Sequence, residues 1–239
     1  MKQWMCLILF ITSVLSASAQ QSFVENEAEY RNVAPFRKIR VGDGIELIIT
    51  QSEKVSVAAT ASRPEYLRRL KTEVVDDMLK LYYDRESLSD WTASGKKLKV
   101  YVSVARLEQL TAVAGAVVRV EGELKASDLQ LAVRSGASFR GNVQVSKAVV
   151  EAESGARMQL SGEAGNLFVN ASSGGRVEAF DLAAGRADVK VASGAVVQTT
   201  AGEDLVLYAS SGGSIRYKGN AKIAGLHIKS GGTVRKYNE

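Results

Sequence analysis

Arginine recurs on one beat of this sequence. Arg119, Arg140, Arg216 and Arg235 each stand four residues after the middle glycine of a small-Gly-small triplet, and Arg157 and Arg176 stand two residues after it. A guanidinium is planar, permanently charged and forked, so a row of them suits carboxylate or phosphate groups. On stacked repeats the six side chains would form a loose basic stripe, suited to an acidic polysaccharide or to lipid headgroups. A solvated face that discourages edge pairing is the simpler reading of the same spacing.

Other chemistry has thinner support. His227 is the one histidine and Cys6 the one cysteine. A zinc site is not expected from such a set, nor is any cofactor. Asp43, Asp76, Asp77, Asp84 and Asp90 lack the spacing of a calcium loop. Serines are plentiful, but no nucleophile elbow marks one of them. Glu151, Glu153 and Glu178 do not converge at one offset of adjacent repeats, as a glycosidase or polysaccharide lyase would need. No catalytic residue is therefore expected. A carbohydrate-active β-helix enzyme stays an alternative by analogy of fold, and a purely structural envelope protein is another. With six Phe, two Trp and eight Tyr, neither a stacking platform nor an aromatic-lined sugar cleft is expected.

The elements that must position the arginines follow from the triplets. Their middle glycines are Gly115, Gly136, Gly155, Gly174, Gly194, Gly212 and Gly231, spaced 21, 19, 19, 20, 18 and 19 residues apart. Five residues before each stands Leu110, Leu131, Val150, Val169, Val189, Leu207 or Leu226. Three after it stands Val118, Phe139, Met158, Val177, Val197, Ile215 or Val234. Odd offsets are apolar and even offsets polar, the period of a strand and not of a helix. Each repeat therefore reads as two strands hinged at the glycine, with a second turn near Gly122, Gly141, Gly162, Gly185, Gly202 or Gly219. A rung of about 19 residues cannot bury its apolar side alone, so rungs must stack. The Ser-Gly-small corner is then structural, with stacked serine hydroxyls available to the next rung. A phosphate cradle would need a helix behind it and would occur once.

Before the repeats, strands are expected over 36–41, 45–50, 54–60 and 97–104, with Gly44 at the corner of a degenerate first rung. Ser62 and Glu65 predict a capped short helix running to about Leu70. Residues 72–83 read as a hairpin turning at Asp76-Asp77, and 84–95 as a loop. Residues 20–34 are polar and expected to be poorly ordered. At the very start, Lys2, an apolar run from Trp4 to Leu15 and Ala17-Ser18-Ala19 spell a secretory leader over residues 1–19. The run is too short to span a membrane, and no second one follows. Export places the protein in the periplasm, on the cell surface or outside. Lys and Arg total 31, one of them Lys2 in the leader, against 26 Asp and Glu. So mild a balance does not argue for nucleic acid.

Four features in order, the leader, Val41-Gly42-Asp43-Gly44-Ile45-Glu46-Leu47, the strand at 97–104 and the Ser-Gly-Ala/Gly repeats, resemble the secreted bacterial family known as putative autotransporter adhesin, head GIN domain. The resemblance covers roughly residues 34 to 236. Glu46 departs from the Asn that the family's name suggests. The resemblance implies a β-helical exported domain with an adhesive or surface role, and it brings no catalytic residues. A translocating β-barrel is not expected within this chain.

The expectation is an all-β, right-handed parallel β-helix in one domain over 35–239. Residues 35–105 form a strand, helix and hairpin elaboration, and 106–239 the seven repeats. The expected role is a non-catalytic binding or adhesion module of the bacterial envelope, with an anionic polysaccharide or another envelope component as partner. Oligomeric state stays open, because a β-helix has two ends. The polar run Arg235–Glu239 reads as a cap for one end, and the N-terminal insertion as a cap for the other.

Overall fold

The computed structural model describes residues 28–85 and 95–237. The leader over 1–19, most of segment 20–34 and Asp90 lie outside the described residues. The chain begins with β1 (Glu29–Arg31), β2 (Lys38–Val41), β3 (Glu46–Gln51) and β4 (Ser56–Ala61), then α1 (Pro64–Arg69). There follow β5 (Leu70–Val75), β6 (Met78–Tyr83), β7 (Leu98–Val104) and β8 (Gln109–Ala112). Long strands come next: β9 (Val117–Val133), β10 (Ser138–Ala152), β11 (Arg157–Ala171), β12 (Arg176–Val191) and β13 (Val196–Ala209). The last are β14 (Ser214–Lys218), β15 (Lys222–Ile228) and β16 (Thr233–Lys236).

From β8 onward every neighbouring pair is parallel, and the register matches the alignment of the repeats. Phe139 lies between Val118 and Met158, and Val150 between Leu131 and Val169. The protein is a parallel β-solenoid. Its inward columns are buried: Leu110, Leu131, Val150, Val169, Val189 and Leu207 are all 2% exposed or less. A column of β-branched and leucyl side chains fills the pleat of each rung and meets its equivalent about 4.8 Å away.

Each corner is a two-residue turn with both residues left-handed. The first has φ of 47–57° and the glycine 69–74°, from Asp43-Gly44 through Ser230-Gly231. This is the type I′ geometry, closed by an amide–carbonyl bond of 2.8–3.2 Å, as from Ala137 to Arg134. Asp43-Gly44 confirms the degenerate first rung. At Gly155 an added Cβ would meet nothing within 4 Å, so the residue is required for its φ of 74° and not for space. Successive corners are tied through the backbone: the Gly136 amide donates to the Ser154 carbonyl at 3.0 Å, and the Gly155 amide to the Ser173 carbonyl at 3.1 Å. The expected serine hydroxyl ladder is thus corrected to an amide ladder, because the left-handed corner points the glycine N–H along the solenoid axis.

The second turn also needs correction. β9 to β13 run unbroken through it, and the register shifts there, as between Arg140 and Asn142 or Ala179 and Ala183. It is a bend in one strand, with bulges absorbing the variation in repeat length.

The N-terminal region adds a rung where sequence order would not put one. β2 pairs in parallel with β8 on one side and β6 on the other, and β3 pairs with β9 and β7. The insertion therefore supplies its own rung, β6–β7, stacked outside the first. Antiparallel strands then cover it, β5 on β6, β4 on β7 and β1 on β4. Glu29–Arg31 are thus strand, which corrects the unordered reading of 20–34 over that stretch. The Asp76-Asp77 hairpin is as expected, with φ of 52° and 63°. The helix lacks its expected cap. Arg63 is the N-cap residue and makes no side-chain cap bond, while Pro64 opens the helix. The Ser62 hydroxyl instead accepts from the Lys97 amide at 3.2 Å and donates to the Gly95 carbonyl at 3.3 Å.

Candidate ligand-binding face

Positions two and four after a corner glycine point to the same outer side of the strand that follows. Register places Arg119 beside Arg140, Arg157 beside Arg176, and Ser138 beside Arg157. Four of the six predicted arginines therefore form one diagonal cluster across β9 to β12. Arg216 and Arg235 are register neighbours of each other but stand apart, beyond Gln198. Gln159 and Glu178 interrupt the row at the fourth position, and Arg157 and Arg176 refill it from the second.

Three arginines of the cluster lack the ion pairs that hold Arg119 itself and arginines such as Arg134 and Arg186. Arg134 is held by Glu153 at 3.0 Å and by Glu151, and Arg186 by Glu203 at 3.2 Å and Asp204 at 3.3 Å. Arg119 Nη1 lies 2.8 Å from Glu46 Oε1, and Glu46 Oε2 lies 3.8 Å from Lys99 Nζ. Among the described residues, Arg140, Arg157 and Arg176 have no carboxylate within 4.0 Å. All three are exposed and surround a shallow basin of about 320 Å³ with Ser138, Gln159 and Glu178. Three like charges on adjacent strands repel one another, so the face costs a little stability.

The basin opens toward a second, deeper pocket of about 460 Å³ that shares Arg119 and Val117 with it. Its walls carry Lys96, Lys97 and Lys99, with Thr60 and Ser62 between them. Sequence reasoning missed these lysines. The run Lys96-Lys97-Leu98-Lys99 was visible, but only the pairing of β7 with β3 brings it to the arginines. The cations are spread across the width of six strands, from β7 through β3 to β12, about 24 Å at the inter-strand spacing, with the β3 carboxylate Glu46 set between Lys99 and Arg119.

Elsewhere the surface offers less. A larger depression, about 750 Å³, runs along the bend past Ser127, Ser146, Gly165 and Gly185. A Cβ at Gly165 would sit 2.7 Å from the Ser146 carbonyl, so close packing of rungs explains that glycine. His227 is exposed at its outward offset and stacks on Tyr208, with centroids 4.6 Å apart and planes 6° from parallel. This stack was not foreseen. It is not an open platform, since the Lys190 ammonium from the preceding rung lies 5.5 Å over the same Tyr208 ring. Glu151 and Glu153 are both on Arg134, away from Glu178. Among the described residues no three of His, Cys, Asp and Glu gather as metal ligands would. The Tyr82 hydroxyl, raised above its usual pKa by a hydrogen bond to Glu73, lies on the β5–β6 hairpin, remote from the basin.

With this geometry in hand, comparison with known proteins is decisive for ancestry. The profile of the family described as putative auto-transporter adhesin, head GIN domain, matches residues 35–221. The chain belongs to this family. In the GIN-type opening Gly44-Ile45-Glu46, Glu46 is the residue that holds Arg119 and Lys99. Solved structures share the fold, three bacterial proteins among them. A putative adhesin from Bacteroides fragilis superposes with a TM-score of 0.76 at 21% identity, covering 87% of this chain and 95% of its own. A putative lipid binding protein from Parabacteroides distasonis gives 0.68 at 18%, covering 90% and 98%. A putative adhesin from Parabacteroides merdae gives 0.69 at 17%, covering 88% and 95%. No curated protein matches. Among the described residues no helix is long and apolar enough to cross a membrane.

Proposed function

We propose that this protein is an exported, non-catalytic adhesion module that holds a polyanion on the face of Arg119, Arg140, Arg157 and Arg176. The observation that carries the reading is the set of three arginines on adjacent strands, β10 to β12, without a carboxylate partner among the described residues. A guanidinium gives up part of its hydration at little cost and binds carboxylate or phosphate through two parallel N–H donors. The rungs repeat at a fixed interval, so a ligand with anions at regular spacing can engage several arginines at once. Each further contact then acts at high effective concentration. The family's adhesin description and the names of its relatives support a binding role, and the leader supports export.

Acidic polysaccharide and anionic lipid headgroups offer the same chemistry. The test therefore has two arms, an array of acidic glycans and flotation with phosphatidylglycerol vesicles. Each is run with the wild type and with an R140E/R157E/R176E variant. Binding in one arm identifies the source. A charge-assisted hydrogen bond is worth about 1.5–3 kcal/mol, so the triple variant should bind at least a hundredfold more weakly. Affinity should also fall as salt rises. Undiminished binding by the variant would remove the arginine face from the reading. Release of unsaturated or reducing ends from an acidic glycan would overturn its non-catalytic part.

A further inference from the structure

The last rung, β15–β16, leaves its core exposed. Leu226 and Ile228 are each 48% exposed and Ile223 is 41% exposed. One rung inward, their register partners Leu207, Ala209 and Leu205 are 2% exposed or less. Among the described residues nothing pairs with the outer edges of β15 and β16. Of the expected polar cap Arg235–Glu239, Asn238 and Glu239 lie outside the described residues, and the residues from Arg235 to Tyr237 do not cover the end. Lys236 stacks beside Tyr217 and Val234 beside Ile215, but neither reaches across Leu226 and Ile228.

We infer that this end is the contact surface for a second copy of the chain, joined tail to tail. Two properties favour a copy over an unrelated partner. The surface is two strand edges about 10 Å apart with an apolar strip between them, and another solenoid end of the same cross-section matches both edges and the strip together. A twofold axis perpendicular to the solenoid sets these edges antiparallel and carries both sheets and the core through the junction. The N-terminal end cannot serve as the mate. It is closed by antiparallel strands, and both of its edge strands carry charges: β1, only three residues long, has Glu29 and Arg31, and β5 has Lys71 and Glu73. The junction is therefore isologous and stops at two copies.

Its strength follows from size and charge. β15 spans about 23 Å, and with outward side chains the end is about 20 Å wide, so two copies together bury about 1,000 Å². That is the lower limit for a specific interface and implies a weak, concentration-dependent dimer. Residues 222–237 carry Lys222, Lys229, Arg235 and Lys236 and no carboxylate. Like charges face each other across the junction, so added salt should tighten the dimer. That is the opposite sign to ligand binding on the arginine face, and the two surfaces can be tested independently.

Sedimentation of the purified protein over a hundredfold concentration range, in low and in roughly 0.5 M salt, is the experiment. A monomer–dimer equilibrium shifted toward dimer by salt is expected, with slower amide exchange in β15 and β16 at high concentration. L226D and I228D should each hold the protein monomeric while leaving its melting curve nearly unchanged, because both side chains are half exposed. A protein monomeric throughout would overturn the inference. So would a dimer that survives both substitutions, or a polymer growing beyond two copies.

Discussion

The two ends of the solenoid face the same physical problem and meet it differently. At the N-terminal end the chain leaves the first rung, builds β4, α1 and β5, and returns as β6–β7 before the repeats begin. Leu79 and Leu70 are fully buried there, and the outermost strands are short, antiparallel and charged. At the C-terminal end the repeat is carried to its last rung with the same apolar columns and no covering element among the described residues. A stack of rungs gains stability from each new interface, so a rung with one neighbour gains half of what an inner rung does. The N-terminal insertion supplies the missing neighbour; at the other end a second molecule would.

The contrast between the ends is tested most severely on its buried side. Leu79→Ala should destabilise the protein by about 2–5 kcal/mol in urea unfolding, because it opens a cavity in a closed cap. Leu226→Ala, at the open end, should cost less than about 1 kcal/mol in the dilute monomer. Equal losses would mean that the last rung is covered in solution. The corner glycines offer a second contrast. Gly44→Ala forces a Cβ into φ of 69°, a strain of about 1–2 kcal/mol. Gly231→Ala meets the same strain at 74°, but a frayed rung releases it, so its effect on global unfolding should be smaller. A subtler test lies one column in. Thr199 is fully buried, and among the described residues its hydroxyl has no hydrogen-bond partner. Thr199→Val should stabilise by about 1 kcal/mol, since it removes an unpaired polar atom at nearly constant volume. Hydrogen exchange gives the smallest signal: amides of β15 and β16 should exchange fastest among the strands at low concentration.

Much of the fold was legible because a solenoid writes its tertiary contacts into a local pattern. Val150 packs between Leu131 and Val169, one period away on either side. Reading down a column of the aligned repeats is therefore the same as reading along the core. The Asp43-Gly44 corner was found for the same reason. The cap on α1 was misread because Ser62 had two possible uses, and the bond to Lys97, distant in sequence, won over the local one. The arginine stripe was half legible. Its columns were visible, but its division into a cluster of four and an outlying pair depends on which side of the strand two offsets share.

The period, the inward and outward columns and the left-handed corner are properties of the chain's own residue order, because each depends on residues within one rung. The order of rungs at the N-terminal end is not, since β2–β3 lies between β6–β7 and β8–β9 only once the strands have paired. Long-range packing likewise chose which arginines are neutralised, with Glu46 reaching Arg119 across 73 residues of chain. It also left Leu226 and Ile228 bare. Pairing between distant strands is a matter of which edge is free, and no local pattern records that.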